Sequence, residues 1–497
     1  MSSPSCCETS PLLPPTPTQD DPSSKPQGGE IPTSRRLATA LPYVIVFLVI
    51  ELSMMVVETP LYPIQEAIIC QKYFPASAND ASVDPRCKTE IVQAELSFLK
   101  GWQLTISLLP GMITALPYGM MAEKYGHRFI LALSTFGLVL TEACYVIISS
   151  FPDIFPLRLT WLCAGLSIIG GGVYVNAAMM YTIAADFSTG AERSTVFFYI
   201  SAIGLVGKLV GSPLTYAAMS HGNWFAVYIG MGFLSAATLA TFFLPSTDSI
   251  KSMQSSDEDN SSDLDESSPD LQKDFFDGVK KAVALIRIMF WENKQLGLLL
   301  STFLFTSLGK SVPTILMQYM TKRFQWTWAE ANLLYPVTAT VQMSVVTLAL
   351  PFISQVFMQN LGLTPISKDL WLARAGLICL TVGMFGMGLA NTSVVLIISL
   401  VVCSLGFGSD PAMRGLLVTM AEGQPTSLLF TTMSVLECLG LLISGPLLAT
   451  TFKIGMEWEG AWIGLPFISA GWCLACATVI TIGLQDISNR HSMYKMN

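Results

Sequence analysis

The sequence predicts an all-α membrane protein: twelve transmembrane helices arranged as two pseudo-symmetric six-helix bundles. Three observations predict it. First, a two-helix phrase is written twice. Gly170-Gly171-Gly172 leads to Asp186, then to Ser201 and Pro213; Gly406-Phe407-Gly408 leads to Glu422, then to Ser434 and Pro446. The glycine-to-acid and serine-to-proline distances are identical in both copies, as expected of a duplicated helical unit. Second, apolar runs of about 20 residues recur, the length a helix needs to cross ~30 Å of hydrocarbon. Third, the chain is 52% hydrophobic and only 12% charged, against about 25% charged in average soluble proteins. Barrel strands would alternate polar and apolar residues, and these runs do not.

The predicted spans lie near 40–62, 100–121, 129–150, 157–182, 195–217 and 223–244, then 295–319, 329–357, 371–390, 393–420, 427–450 and 462–484. Spans 4 and 5 correspond to spans 10 and 11. Five regions follow: a cytosolic tail (1–37), a first bundle (38–245), an acidic linker (246–294), a second bundle (295–485) and a C-terminal tail (486–497). Residues 1–34 are rich in Ser, Pro and Thr and predict disorder. They carry Glu8, Leu12 and Leu13, which resemble an acidic dileucine sorting signal, so plasma membrane and vacuolar membrane both stay open. Cys6 and Cys7 are candidates for palmitoylation.

Basic residues orient the array. Arg35, Arg36, Lys124, Arg128, Arg193, Lys280, Lys281, Arg287, Lys368, Arg374, Arg490 and Lys495 fall on one side, predicted cytosolic; Lys72, Arg86, Lys88, Lys322 and Arg323 fall on the other. Both termini are then inside and loop 64–98 is exterior. The stretch from Asp248 to Asp277 carries ten acids against Lys251 and Lys273, so the net charge of −8 belongs to the linker. Phe275 to Trp291 reads as an interfacial helix. No basic stripe points to nucleic acid.

Eleven cysteines show no metal-site spacing. Cys70 and Cys87 share the exterior loop and are either bonded or free. Asn391 opens a glycosylation sequon almost at the bilayer. The three histidines (His127, His221 and His491) fall in loops or the tail, which disfavours a histidine triad or metal site, and no Gly-x-x-x-x-Gly-Lys-Ser/Thr phosphate loop is present. No cofactor and no enzymatic activity are expected, and ATP-driven pumping within this chain is excluded.

Between spans 2 and 3 the chain reads Gly119-Met120-Met121-Ala122-Glu123-Lys124-Tyr125-Gly126-His127-Arg128. This resembles the signature loop of the major facilitator superfamily, with Glu123 in place of the family's Asp and His127 in place of its Arg. Asp186 and Arg193 stand where the family keeps a second charged latch. Arg158 ahead of Gly165 resembles its span-4 pattern. Gly204, Gly207, Gly211 and Pro213 resemble the span-5 antiporter signature, here interrupted by Ser212; Gly445 and Pro446 stand in span 11. The resemblance covers about 38–485 and implies a monomeric secondary transporter. Pro60-Leu61-Tyr62-Pro63, Pro117-Tyr118-Gly119 and Pro156-Leu157-Arg158 look like fungal members, many of which export drugs or self-made metabolites.

Charges inside the bilayer are costly, about 2.5–3.5 kcal/mol on insertion scales, and mark candidate sites. They are Glu51 (span 1), Lys208 (span 5), Lys310 (span 7), Asp410 and Arg414 (span 10) and Glu437 (span 11). Asp410 and Arg414 share a helix face. Glu51 and Glu437 are candidate proton carriers, and Lys208 with Glu437 a candidate gating pair. Glu142 on span 3 is expected to be a helix contact. Asn176 and Gln342 are candidate polar anchors in a greasy pocket. The leading expectation is proton-coupled efflux of a small organic molecule, a secondary metabolite or drug. Two alternatives stand beside it: a proton symporter importing an anionic nutrient, drawn by Lys208, Lys310 and Arg414, and a non-transporting receptor or scaffold.

Overall fold

With no water in the hydrocarbon region, a spanning segment must satisfy its backbone hydrogen bonds internally. In the computed structural model, helix occupies all twelve predicted positions, and there is no strand among the described residues. Those residues are 33–75, 85–187, 193–245, 294–350, 352–353, 356, 365–420 and 426–484. The dileucine pattern, Cys6, Cys7, most of the acidic linker and the C-terminal tail lie outside them, as do the side chains of Glu123, Asp186, Arg193 and Lys310. Among the described residues, ten helices are long and apolar enough to cross a membrane. The other two positions are span 2 (Glu90–Tyr125), diluted by Gln103, Thr105 and Ser107, and span 8, built from Trp328–Asn332, Leu334–Ser344 and a π-turn at Val345–Ala349.

The main departure from expectation is span 1. Its helix runs Thr33–Tyr73 and passes through Pro42, Pro60 and Pro63. Prolines that read as stops in a soluble protein are tolerated where neighbouring helices re-satisfy the freed backbone groups. The predicted exterior loop 64–98 therefore shrinks, and Glu66 sits on a helix.

Glycine-rich breaks interrupt both repeat copies, Gly170-Gly171-Gly172 in the first and Gly406-Phe407-Gly408 in the second. In span 4 the helix tightens to 3₁₀ at Ala164–Ile168 and restarts at Gly172, with Gly170, Gly171 and Gly172 all at positive φ, a region open to glycine at no steric cost. In span 10 the break is milder, a 3₁₀ turn at Gly406–Gly408 between Ser393–Leu405 and Ser409–Met420. In span 5 (Arg193–Met219) a Cβ on Gly207 would lie 3.0 Å from Glu51 Cβ, and one on Gly211 would lie 3.2 Å from Leu52 Cδ2. In span 11 (Thr426–Trp458) a Cβ on Gly440 would lie 2.5 Å from Leu304 O. Each copy thus uses a glycine to seat its span against the first span of its own half. Pro213 and Pro446 both lie inside these helices.

The cores show how the halves meet. One apolar cluster joins them at the end bearing Cys70 and Cys87, uniting Leu96 and Leu99 with Met317, Leu448, Phe452 and Phe467. Toward the opposite end each half keeps its own cluster, around Ile50, Ile130 and Leu234 in the first and around Leu299, Phe303 and Leu417 in the second. Cys70 is bonded to Cys87, and Cys144 of span 3 to Cys163 of span 4.

Candidate functional site

The halves touch through two pseudo-equivalent crossings. Span 11 crosses span 2 backbone to backbone: a Cβ on Gly445 would lie 2.2 Å from Gly101 O, and Thr105 Oγ1 donates to Leu442 O at 3.1 Å. Span 5 meets span 8 through polar groups. Ser212 Oγ donates to Asn332 O at 2.6 Å, Asn332 Nδ2 donates to Ser212 O at 2.9 Å, and Thr59 Oγ1 lies 3.3 Å from Asn332 Oδ1. Ser212 stands in the first copy where Gly445 stands in the second.

Beyond the crossings, the closed end is organised by Glu66, which is only 1% exposed. Its carboxylate accepts from Lys88 Nζ at 2.6 and 2.9 Å, from Gln93 Nε2, and from Trp328 Nε1 of the other half at 2.7 Å. Gln318 Nε2 donates to Gln93 O at 2.7 Å, and Lys322 Nζ donates to Lys88 O. A buried charge with several donors is stable only while they remain; removing one side of such a pair costs about 3–5 kcal/mol. The Cys70–Cys87 bond holds the short 3₁₀ segment Pro85–Lys88 in place for this purpose.

Among the described residues, each half has a cavity below the closed end. The first, about 340 Å³, is walled by spans 1 to 4, with Thr314 of span 7 on its rim. It contains Glu58, Lys100 and Glu142, with Tyr62, Gln103, Ser107, Thr141 and Tyr145. Lys100 interacts electrostatically with both carboxylates, and its Nζ lies 4.3 Å over the Tyr62 ring. Glu142 is 3% exposed and its Oε2 has no hydrogen-bond partner. That corrects the expectation of a helix contact: the break in span 4 brings Gly171 and Gly172 to the cavity wall and leaves space where a packed neighbour would otherwise satisfy the carboxylate.

The second cavity, about 350 Å³, is walled by spans 7 to 10 with Leu474, and it admits Lys208 from the first half. Its lining is mostly alkyl and thioether, including Leu316, Met317, Met384, Met387, Leu400 and Met413, with Tyr335, Gln342 and Asp410 as polar groups. Arg414 Nη2 lies 3.2 Å from Asp410 Oδ2 and 3.1 Å from Glu437 Oε1.

The sequence-predicted residues thus divide. Asp410, Arg414 and Glu437 form one charged group. Lys208 lines the second cavity and interacts with Glu51 across the span 1–span 5 contact, so the structure assigns Glu437 to Arg414 and Lys208 to Glu51. Gln342 lines a cavity; Asn176 instead donates to Ser134 Oγ at 3.1 Å in the packing of spans 3 and 4. At the latch, Gly126 adopts φ +87 between spans 2 and 3, Lys124 is exposed, and His127 is buried. Gly119 has open space beside it. Asn391 is exposed in the turn before Ser393. Sequence reasoning missed Glu58, Lys100 and Glu66. For Glu58 a signal existed: it lies two turns after Glu51, on the same face of span 1.

Comparison with known proteins agrees with this geometry. Residues 91–445 match the Major Facilitator Superfamily. The chain is 28% identical over 485 residues to the MFS efflux pump atnC of Emericella nidulans, covering 95% of this chain and 92% of that protein. It is 28% identical over 422 residues to the efflux pump ustT of Aspergillus flavus, covering 83% and 82%. Among solved structures, the nucleoside transporter NupG aligns with a TM-score of 0.56 at 14% identity, covering 90% of this chain and 100% of that one. The xylose transporter XylE of E. coli aligns with a TM-score of 0.55 at 12% identity, covering 89% and 97%. Twinned helical halves, a shared closed end and a cavity in each half have the same source as these likenesses: the chain belongs to the Major Facilitator Superfamily, and is an integral multi-pass membrane transporter.

Proposed function

We propose that this transporter is a proton-coupled exporter of small organic molecules, a secondary metabolite or drug, working by alternating access. The observation that carries it is the charged cavity of the first half, where Lys100 stands with Glu58 and Glu142 and one carboxylate oxygen is left without a partner. A buried carboxylate with one oxygen left unpaired binds and releases a proton as its surroundings change. The charged and titratable groups facing it are Glu58, Lys100 and Tyr145, with Glu51 and Tyr335 acting on Glu58.

The closed end is the exterior end in this reading, so the structure represents the inward-facing state. Cavity and gate are linked by contact: Lys100 lies over Tyr62, Tyr62 stacks on Trp328 at 5.4 Å between ring centroids, and Trp328 donates to Glu66. A change of charge around Lys100 thereby reaches the seal. Both named fungal relatives are efflux pumps, which supports the outward direction.

Liposomes carrying the full chain test this. An acidic lumen is expected to drive accumulation of fungal metabolites from a panel outside, and collapse of the pH gradient is expected to stop it. Accumulation driven instead by acid outside would reverse the reading to import, and indifference to the gradient would remove proton coupling.

A further inference from the structure

We infer that the substrate is an amphiphile with one cationic group, a protonated amine or quaternary ammonium, whose head occupies the first cavity against Glu142 and whose apolar body occupies the second. The inference rests on the transport reading above and adds the chemical class of what is carried.

Three observations lead to it. The first is the charge count. Glu58 and Glu142 face a single cation, Lys100, within one cavity, so with both carboxylates ionised that cavity carries one surplus negative charge. An anion would enter against that balance; a monocation completes it.

The second is the unsatisfied group. Glu142 Oε2 is buried, lines the cavity and has no hydrogen-bond partner, and a buried acceptor left unpaired is costly. An ammonium donor is its natural complement. Tyr62, already under Lys100 at 4.3 Å, shows that this wall accepts a cation against an aromatic face.

The third is the continuity and contrast of the two cavities. They meet at span 7, where Thr314 faces the first and Pro313 the second. Tyr335 of the second interacts electrostatically with Tyr62 of the first. Past that junction the lining is mostly alkyl and thioether and carries no glutamate, a surface that adapts to apolar bodies of varied shape.

Equilibrium binding to the full chain in lipid nanodiscs tests the class, with three probes sharing one apolar body: naphthylethylamine, naphthylethanol and naphthylacetate. The amine is expected to bind about tenfold more tightly than the alcohol, the worth of a charge-assisted hydrogen bond, and the acetate least tightly. Glu142→Gln is expected to reduce the amine to the level of the alcohol while the alcohol still binds. Thr338→Trp, which fills the second cavity, is expected to weaken both. Lys100→Gln, which removes the competing cation, is expected to tighten the amine, and it decides the matter if Glu142→Gln fails to fold. Equal binding of amine and alcohol, preference for the acetate, or an amine indifferent to both Glu142→Gln and Lys100→Gln would overturn the inference. Because binding needs no gradient, the two readings fail separately. Amine preference without proton-driven flux would remove the coupling and keep the class. Proton-driven flux of the acetate would keep the coupling and remove the class.

Discussion

The two cavities are walled by corresponding sets of spans from the two halves, yet one sets Glu58, Lys100 and Glu142 among apolar side chains and the other is lined chiefly by methionine and leucine. The first holds Glu58, Lys100 and Glu142 in a cavity of about 340 Å³. In the second half Arg414 joins Asp410 and Glu437, and of these only Asp410 lines the cavity, with Lys208 of the first half. The glycine-rich breaks differ in the same sense. Three consecutive positive φ angles open the wall of the first cavity, and a single 3₁₀ turn bends the second. Duplication supplied the scaffold twice, and divergence gave one half a polar task and the other an apolar one.

The largest effect that bears on this comparison is expected where the scaffold is shared. Gly445→Leu sets a side chain against Gly101 O and is expected to abolish transport, with the closed end opened to thiol-labelling at cysteines introduced nearby. Ser212→Ala, at the pseudo-equivalent position, removes one hydrogen bond worth about 1 kcal/mol and is expected to slow transport only several-fold. Equal effects would show the crossings to be equivalent after all.

Next is the polar task itself. Glu142→Gln is expected to abolish the dependence of transport on the pH gradient while gradient-free exchange of substrate persists. The matched change in the other half, Glu437→Gln, is expected to leave the pH dependence in place. If Glu437→Gln alone removed it, the assignment of tasks would be inverted.

A smaller effect separates the glycine-rich breaks. Gly171→Ala must adopt φ +80 and would place its Cβ 2.1 Å from Val175 Cγ2; a loss of about 1–3 kcal/mol is expected, read as a drop in melting temperature. Gly408→Ala meets only the Leu350 side chain at 3.1 Å and is expected to cost less than about 1 kcal/mol. A comparably small effect is the stability change of Glu437→Gln: Arg414 is 39% exposed and keeps Asp410 as a second partner, so a loss of about 1 kcal/mol is expected.

How much of this was legible follows from what a sequence encodes. The spans, the repeat and the glycines of span 5 are local or periodic facts, whereas the seating of Gly207 and Gly440 against the first span of each half emerged from the packing. The Asp410–Arg414 pair was legible because four residues separate its members on one helix. The Glu58, Lys100 and Glu142 group was not, because its members sit on three spans and periodicity along one helix does not tell which neighbours it faces. Glu66 was hidden differently: Pro60 and Pro63 read as the end of a helix, and in a bundle they are not.

The crossing of spans 2 and 11 has a mechanical consequence. Gly101 and Gly445 bring two backbones into direct contact, which makes the crossing a fulcrum. On span 2 (Glu90–Tyr125) it divides the helix unequally. At 1.5 Å per residue the arm toward the closed end is about 16 Å long and the opposite arm about 36 Å. A rod pivoted there works as a lever of roughly one to two: each ångström of opening at the sealed mouth sweeps about two at the far one. The wide mouth therefore shuts before the narrow one has opened far, and a leak through both is avoided by proportion.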